Sequence, residues 1–421
     1  MNILIGNGFN HYVMKIAREA DIEDDIIKEL DNVINLWRSF DELVSTLEEK
    51  LRPKFREYFL YSSLDGEDIL FLIYEILDFI NLLSSSQKSE EVQSCLSSLR
   101  NIIGEEIYAK IYDAVNKFLR QELSGFYRDL LSSFKEKGLL DNASLLEELP
   151  INIFTTNYEG IIDILLSPNG FWLGDGFGYC PYFEDRLLLC FNPDFSDSHN
   201  LYHIHGSYKF FEGRDQVYKL RTSSFEKKKE GSKQIESNLE SLMSFIKNKH
   251  LKPLLVYSSF KEKLKLIRKN PVLSYYYNFY IHSISKNKKL ALFGISLSND
   301  KHLVEPIINL AFRKKISDTL EIYIFDIATN LTDSNTYKNL YEWLSNIVSE
   351  ISGKFKKEIS MELKAEDKTE AIISLIFKEK KDGTMKKYNS LEIYIKLENT
   401  HQFSDLNKLY ERFYELSKQN T

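Results

Sequence analysis

A short apolar run that breaks into polar residues constrains the fold of this chain more than any other stretch. Residues 151–154 are mostly apolar, residues 155–159 read Thr-Thr-Asn-Tyr-Glu, and an amphipathic run begins at Ile161. This order predicts a buried strand, then polar side chains at its end, then a helix. In open α/β sheets, ligands bind outside the carboxyl ends of the strands, so residues 155–159 are candidates for ligand contact. The alternative is a plain helix start, with Thr or Asn as the cap and Glu in the first turn.

Other segments repeat the pattern of an apolar strand followed by a turn and a helix. Residues 2–5 run into a turn with two glycines at positions 6 and 8, residues 289–293 open into small residues at 294–298, and residues 321–325 supply one more strand. Strands that alternate with helices form a parallel sheet with helices on both faces. The glycine turn suits a phosphate, but a plain strand-to-helix turn explains it equally well, because His11 stands where the dinucleotide fingerprint needs a third glycine.

These patterns predict an α/β fold: a Rossmann-like parallel sheet with a large helical insertion and a small C-terminal α+β domain. The first domain is placed at residues 1–330, and its insertion at about 20–149, where apolar residues recur at helical spacing. The second domain is placed at residues 331–421. It has a helix around 337–351, strands near 359–363, 372–377 and 391–397, a hairpin turn at Asp382-Gly383 and a closing helix. Assembly is its expected use.

Composition narrows the class of protein. A chain of 421 residues with 43% hydrophobic and 28% charged residues is typical of a globular protein of two or three domains. The formal net charge of −7 argues against a broad nucleic-acid surface. Three cysteines without a C-x-x-C pair suit a reducing cytosol, and the apolar window at 69–83 is too short to span a membrane. We therefore expect a cytoplasmic protein that binds neither membrane nor nucleic acid.

Two histidines flank Ile204 in the segment 201–207. On a strand, His203 and His205 would point to the same side. Histidines at this spacing can bind zinc, but Cys180 and Cys190 complete no familiar set of ligands, so no metal is expected. A structural role is favoured for His203 over His205, which lies at a turn before Gly206.

Four motifs follow one another along the chain: Gly6-Asn7-Gly8-Phe9, Thr155-Thr156-Asn157-Tyr158-Glu159, His203-Ile204-His205-Gly206-Ser207 and Phe293-Gly294-Ile295-Ser296-Leu297-Ser298. In this order they resemble the sirtuin-like NAD-binding domain, in the divergent bacterial branch whose members hydrolyse NAD as antiphage effectors. The resemblance covers roughly residues 1–327.

The resemblance implies a role for each matching position. Asn157 matches the asparagine of the nicotinamide-ribose pocket, and His205 matches the catalytic histidine. Glu159 takes the place of an acidic residue, usually Asp, that holds the nicotinamide end. The remaining implied NAD contacts come from the same motifs: Gly6, Asn7, Gly8, Phe9, Thr156, Gly294 and Ser296.

Departures from the family pattern bear on the activity. Sirtuins that remove acyl groups from proteins carry a four-cysteine zinc module, which three cysteines cannot form, and Asn10 and His11 replace their serine, proline and arginine pattern. Both differences count against a deacylase or an ADP-ribosyltransferase, and neither counts against cleavage of the nicotinamide bond. The resemblance thus implies an NAD⁺ hydrolase that releases nicotinamide and ADP-ribose and depletes NAD in defence, with His205 as general base.

The alternative is a non-catalytic module that senses NAD or ADP-ribose and regulates a partner protein. Because an uncontrolled NAD hydrolase is toxic to its host, we expect control by assembly. This assembly is either a homo-oligomer or a complex with a HerA-type hexameric ATPase, and the second rests on analogy with the family alone.

Overall fold

The chain forms a mixed α/β structure around an eight-stranded, mostly parallel sheet in this computed structural model. The structure describes residues 1–35, 94, 125–148, 150–166, 174–179, 188–195, 199–213, 216–220, 240–246, 251–256, 260–298, 300–313, 318–354, 357–381 and 384–418. The predicted α/β class with a parallel sheet is confirmed at this level.

The strands of the large sheet are β1 (Asn2–Ile5), β2 (Asn152–Thr155), β5 (Asn200–His203), β9 (Lys289–Phe293), β10 (Asp318–Asp326), β11 (Lys357–Glu366), β12 (Glu370–Lys381) and β13 (Thr384–Asn399). Their order is β11-β12-β13-β10-β9-β1-β2-β5, and the five pairs from β13 to β5 are parallel. In the central register, Ile5 lies beside Thr155 on one side and Phe293 on the other. The carboxyl ends of β1, β2 and β9 therefore meet at one edge of the sheet.

The helices within the described residues include α1 (Gly8–Glu19), α2 (Asp24–Ile34), α3 (Phe126–Glu136), α4 (Ile161–Leu165), α5 (Phe260–Lys269), α6 (Pro271–Lys286), α7 (Lys301–Arg313), α8 (Asn335–Lys354) and α9 (Leu406–Lys418). Helix α6 shows why such a segment starts where it does. The Asn270 side chain accepts hydrogen bonds from the N–H groups of Val272 and Leu273, and Pro271 occupies the first helical position.

Each face of the large sheet has its own hydrophobic core. Ile3 and Ile5 pack on one face with Phe9 and Val13 of α1 and with residues of α3, α4 and α9. Leu4 points to the other face, where it packs with residues of α6, α7 and α8. Because successive strand side chains alternate between faces, a strand covered on both sides is apolar throughout, which is why residues 3–5 have no polar interruption.

A second sheet of five strands is built from segments on both sides of β5 in the chain. It comprises β3 (Phe177–Tyr179), β4 (Leu188–Phe191), β6 (Gly206–Glu212), β7 (Val217–Leu220) and β8 (Lys252–Leu255) in the antiparallel order β3-β4-β7-β6-β8. All of its pairs are antiparallel: β6 pairs with β7 on one side and with β8 on the other. The parallel pairing expected where strands alternate with helices therefore holds for the large sheet and not for this one.

The C-terminal segment contains the three strands and two helices that its sequence predicts. Its strand β13 pairs in parallel with β10, with Ile395 beside Ile322, so these strands extend the large sheet. The proposed division into domains at residue 330 stays a prediction. The turn at Asp382-Gly383 and most of the helical insertion at 20–149 lie outside the described residues, apart from segments such as α2 and α3.

No helix within the described ranges is long and apolar enough to cross a membrane. Cys190 is disulfide-bonded, which a reducing compartment does not favour. The cytoplasmic location therefore stays a prediction.

Candidate functional site

The sheet reverses its winding between β1 and β9. After β1, helix α1 packs on the face that holds Ile3 and Ile5, whereas α7, which follows β9, packs on the opposite face with Leu4 and Leu292. Neighbouring parallel strands whose helices leave to opposite faces define a topological switch point, where ligands bind in open α/β sheets. The loops at residues 6–8 and 294–298 flank this point.

Glycines let these two loops touch. The N–H of Gly6 donates to the Phe293 carbonyl at 2.9 Å, and the N–H of Gly8 donates to the Gly294 carbonyl at 2.8 Å. A Cβ on Gly8 would lie 2.5 Å from the Gly294 Cα, and Gly294 itself has a φ of +58°. Close backbone packing thus explains why Gly8 and Gly294 lack a side chain. The N–H groups of Gly6 and Gly8 are already hydrogen-bonded within the chain.

The segment after β2 docks on the first of these loops. The Asn157 Nδ2 donates to the Gly6 carbonyl at 3.3 Å. The Asn157 backbone N–H donates to the Thr155 hydroxyl at 3.0 Å. The N–H of Thr156 donates to the Ile5 carbonyl at 3.0 Å. Asn157 is only 5% exposed. The first two motifs are therefore in direct contact, as strand-end placement predicts.

Glu159 is buried beside the start of α1. The Asn10 Nδ2 donates to Glu159 Oε1 at 2.7 Å and also lies 3.0 Å from Asn7 Oδ1. Burial raises the pKa of Glu159 above its usual value, although the hydrogen bond from Asn10 opposes the rise. Asn10 Oδ1 has no hydrogen-bond partner within the described part of the chain. A buried carboxyl group with a raised pKa is thus held beside the start of α1.

Phe9 and Ser296 occupy contrasting positions. The Phe9 ring is fully buried and meets the Phe293 ring edge-on at 5.4 Å, so it belongs to the core under the loop. Ser296 is exposed, with its Oγ 3.0 Å from that of Ser298. Leu297 between them has a φ of +60°, a conformation that side chains other than glycine adopt at a cost.

His203 has partners at both ring nitrogens. Its Nδ1 lies 2.9 Å from the Asn157 carbonyl and its Nε2 lies 3.1 Å from Asp163 Oδ2. The structural role predicted for His203 fits these bonds. However, β5 ends at His203, and residues 204–205 form a turn. The prediction that His203 and His205 share a strand face is therefore wrong, and the two rings have different surroundings.

His205 points instead to the start of α7. Its Nε2 lies 3.1 Å from His302 Nε2 and 3.7 Å from Asp300 Oδ1. Burial lowers the pKa of His205 well below its ordinary value of 6.5, and burial likewise lowers the pKa of His302 to about 4. At neutral pH both rings are therefore uncharged, and each carries one nitrogen lone pair.

Four titratable groups around these motifs were not predicted as site residues. Asp300 and His302 contact His205. Asp163 contacts His203 and forms an ion pair with Lys209. The spacing Asp-x-His directly after the small-residue loop at 294–298 was the available signal. Nothing in the sequence pairs Lys209 with Asp163.

A separate cavity of about 570 Å³ lies over β10, β12 and β13, with Lys289, Tyr323 and Tyr394 in its lining. None of the motif residues named above contributes to that lining.

Comparison with known families finds no family model that matches the chain, and comparison with curated proteins finds no match. The case for an activity therefore comes from the chemistry and geometry of the residues at the switch point.

Proposed function

We propose that this protein is an NAD⁺ hydrolase, with Asn157 and His205 as its catalytic residues and a Rossmann-like sheet as its scaffold. The observation that carries the proposal is the convergence of the four motifs at the switch point. Asn157 bonds to Gly6, Gly8 bonds to Gly294, and His205 contacts His302 just beyond the loop at 294–298. Sequence segments as far apart as Gly6 and Gly294 thus supply an amide, an imidazole and glycine turns to one sheet edge.

The charge state of His205 suits a general base. An imidazole can accept a proton only when it is neutral, and burial keeps this ring neutral at cytosolic pH. In the proposed reaction, the bond between ribose C1′ and the nicotinamide nitrogen breaks, and nicotinamide leaves with the bonding electrons. Water oxygen then bonds to C1′, and the proton that water loses passes to His205. The products are nicotinamide and ADP-ribose.

The other residues position the substrate in this proposal. Asn157 orients the ribose or the attacking water through its amide. Glu159, whose buried carboxyl group accepts a hydrogen bond from Asn10, holds the nicotinamide end. The exposed hydroxyl of Ser296 and the turns at Gly6 and Gly294 line the path of the diphosphate and ribose. Asn7, Phe9 and Thr156 complete the proposed binding set by supporting these turns.

One observation favours the second candidate, a module that binds NAD or ADP-ribose without cleaving it. His205 is 3% and Asn157 is 5% exposed, and both side chains already have partners in the chain. Substrate can reach them only if the covering segments move. A pure binding module needs no such access to the imidazole.

Product analysis separates the two candidates. Purified protein is incubated with NAD⁺, and nicotinamide and ADP-ribose are quantified by chromatography with mass spectrometry. We expect Asn157→Ala and His205→Ala each to lower nicotinamide release by at least about 100-fold, since a positioned base contributes about 10²–10⁴. Matched controls are Asn278→Ala and His282→Ala, which replace exposed residues on α6 and should retain wild-type rates.

Two outcomes would overturn the assignment. Wild-type turnover in either site variant, with both variants folded by circular dichroism, removes these residues from catalysis. Binding of NAD⁺ by the wild type without any nicotinamide release leaves the sensing module as the function.

We also propose that the enzyme acts in the cytoplasm as a defence effector that depletes NAD and is controlled by assembly. The C-terminal strands β11 to β13 extend the sheet outward and supply a surface for a homo-oligomer or for a HerA-type ATPase. Light scattering across protein concentrations, with nicotinamide release measured on the same samples, tests this. Full activity in a monomer would exclude control by self-assembly, and unchanged activity on addition of the ATPase would exclude that partner.

A further inference from the structure

Three potential metal ligands from two distant segments meet beside the switch point. His205 follows β5, whereas Asp300 and His302 lie at the start of α7. One ligand atom from each residue lies within 4.8 Å of the other two. Both histidines are almost fully buried, and the Asp300 side chain is 13% exposed.

The distances fit a shared ion. Zinc binds nitrogen at about 2.0–2.1 Å, so two ligand atoms of a tetrahedral site are about 3.3 Å apart. The two Nε2 atoms are 3.1 Å apart, and Asp300 Oδ1 is 3.7 Å from His205 Nε2. The ligand atoms of Asp300 and His302 lie within 4.8 Å of each other, so a tetrahedral site also requires these two side chains to approach each other.

The ligand types also fit. Each imidazole offers a nitrogen and Asp300 offers a carboxylate oxygen, and Lys263 Nζ donates a hydrogen bond to that oxygen at 3.3 Å, which favours the ionised carboxylate. Two imidazoles and one carboxylate are a common ligand set for a divalent transition metal, with a further position open to water.

Hydrogen bonding within the chain leaves this cluster incomplete. His302 Nδ1 is buried and has no hydrogen-bond partner within the described ranges. Moreover, the two Nε2 atoms form a hydrogen bond only when one ring holds its proton there, and no described group at Nδ1 of His302 selects that tautomer. Buried polar atoms without partners are rare in native proteins, and a bound ion is one explanation for them.

One neighbouring charge opposes metal binding. Lys263 Nζ lies 3.3 Å from Asp300 Oδ1, so a cation already compensates the carboxylate. This ammonium group repels a divalent ion and lowers the affinity of the site. Its removal should therefore strengthen metal binding, whereas a purely structural role of Lys263 gives no reason for that gain.

We infer that His205, Asp300 and His302 bind one divalent transition-metal ion of the zinc class. This inference goes beyond the proposed NAD hydrolase and does not depend on it. If both hold, the ion occupies the lone pair that His205 needs as a base, so zinc inhibits nicotinamide release. The same imidazole would then link NAD turnover to the availability of zinc.

Direct binding tests the inference without any assay of activity. The full-length protein is freed of metal with a chelator and dialysed against Zn²⁺, and bound zinc is counted by atomic emission. We expect one ion per chain. His302→Ala and Asp300→Ala should weaken binding by at least about 100-fold, because even loss of a group that only supports a ligand costs about 10–100-fold. His282→Ala, which removes an exposed histidine, should bind as the wild type does.

Two further measurements keep the test decisive if an alanine variant fails to fold. Co²⁺ bound to the wild type should show the intense visible absorption of a four-coordinate site. Lys263→Met should tighten Zn²⁺ binding by about tenfold or more, because it removes a like charge close to the ion. Failure of the wild type to bind Zn²⁺, or binding by folded His302→Ala at wild-type affinity, would overturn the inference. Zinc binding without NAD turnover would leave this site standing and remove only the hydrolase.

Discussion

Lys209 and Asp163 form a buried ion pair beside His203, and the free energy that this pair contributes to folding can be measured. Lys209 Nζ lies 3.7 Å from Asp163 Oδ1, with side-chain exposures of 2% and 18%. His203 Nε2 approaches the other carboxylate oxygen at 3.1 Å. Burial would raise the pKa of Asp163, but the charges of Lys209 and His203 lower it below the ordinary value of 3.8. The carboxylate is therefore ionised at neutral pH.

Replacement of Lys209 by Met leaves that carboxylate without its lysine partner. Two unit charges at 3.7 Å interact with about 4.5 kcal/mol at an effective dielectric constant of about 20. Loss of one partner of a buried pair costs about 3–5 kcal/mol, because the remaining charge stays buried. Methionine is one heavy atom shorter than lysine and equally unbranched, so the cavity that it leaves is small. We expect Lys209→Met to lower the free energy of unfolding by about 3–5 kcal/mol.

Urea unfolding followed by circular dichroism and tyrosine fluorescence measures this loss. The control is Lys28→Met, which breaks an ion pair with Asp25 at a similar distance of 3.4 Å but with side-chain exposures of 73% and 95%. An exposed pair contributes at most about 1 kcal/mol. The two substitutions are chemically identical, so the difference between them reports the effect of burial.

The change of the stability loss with pH tests whether Lys209 and Asp163 form a buried ion pair. The folded-state pKa of Asp163 is below its unfolded value, so the pair stabilises the fold above the unfolded pKa. That stabilisation is lost as pH falls through the folded pKa. In Lys209→Met the folded pKa rises, and the deficit should shrink towards acidic pH. Equal costs for the two lysine variants, or a deficit that does not change with pH, would refute the assignment of a buried ion pair.

The remaining predictions concern the glycine turn and the carboxyl group beside it. Gly8→Ala should lower the free energy of unfolding by about 1–3 kcal/mol, because its Cβ would lie 2.5 Å from the Gly294 backbone. Gly213→Ala is the control and should lower it less, because its Cβ would first meet the movable end of the Leu251 side chain at 2.8 Å. Differential scanning calorimetry of both variants measures the two losses. Glu159→Gln should gain stability relative to the wild type as pH rises. The folded pKa of Glu159 is raised, so its contribution is lost between the unfolded value of 4.5 and the folded pKa. Parallel urea titrations at acidic and neutral pH would contradict this if the two proteins kept a constant difference.

Much of the large sheet could be predicted because its strands are encoded locally. Residues 3–5 and 289–293 are continuous apolar runs, as strands covered on both faces require. The alternating pattern at 391–397 likewise marks a strand with one buried face. The second sheet could not be predicted in the same way. Its pairing of β4 with β7 depends on contacts across the chain, and short strands with no clear period do not encode their partners.

The candidate site could likewise be predicted only in part. The contact of Asn157 with Gly6 follows from the position of both residues at carboxyl ends of parallel strands. The approach of His302 to His205 spans 97 residues and depends on the angle at which α7 leaves the loop after β9. The orientation of the two histidines at 203 and 205 was mispredicted because the strand stops at the first of them. Local pattern locates the edge of the sheet but not which side chains meet there.

The measurement that tests the central claim most directly is the reaction of wild-type protein with NAD⁺ in heavy-oxygen water. If the chain hydrolyses NAD⁺, mass spectrometry should find nicotinamide and ADP-ribose in equal amounts, with one heavy oxygen in each ADP-ribose at the carbon that held nicotinamide. Recovery of intact NAD⁺ from a protein that binds it would contradict the account.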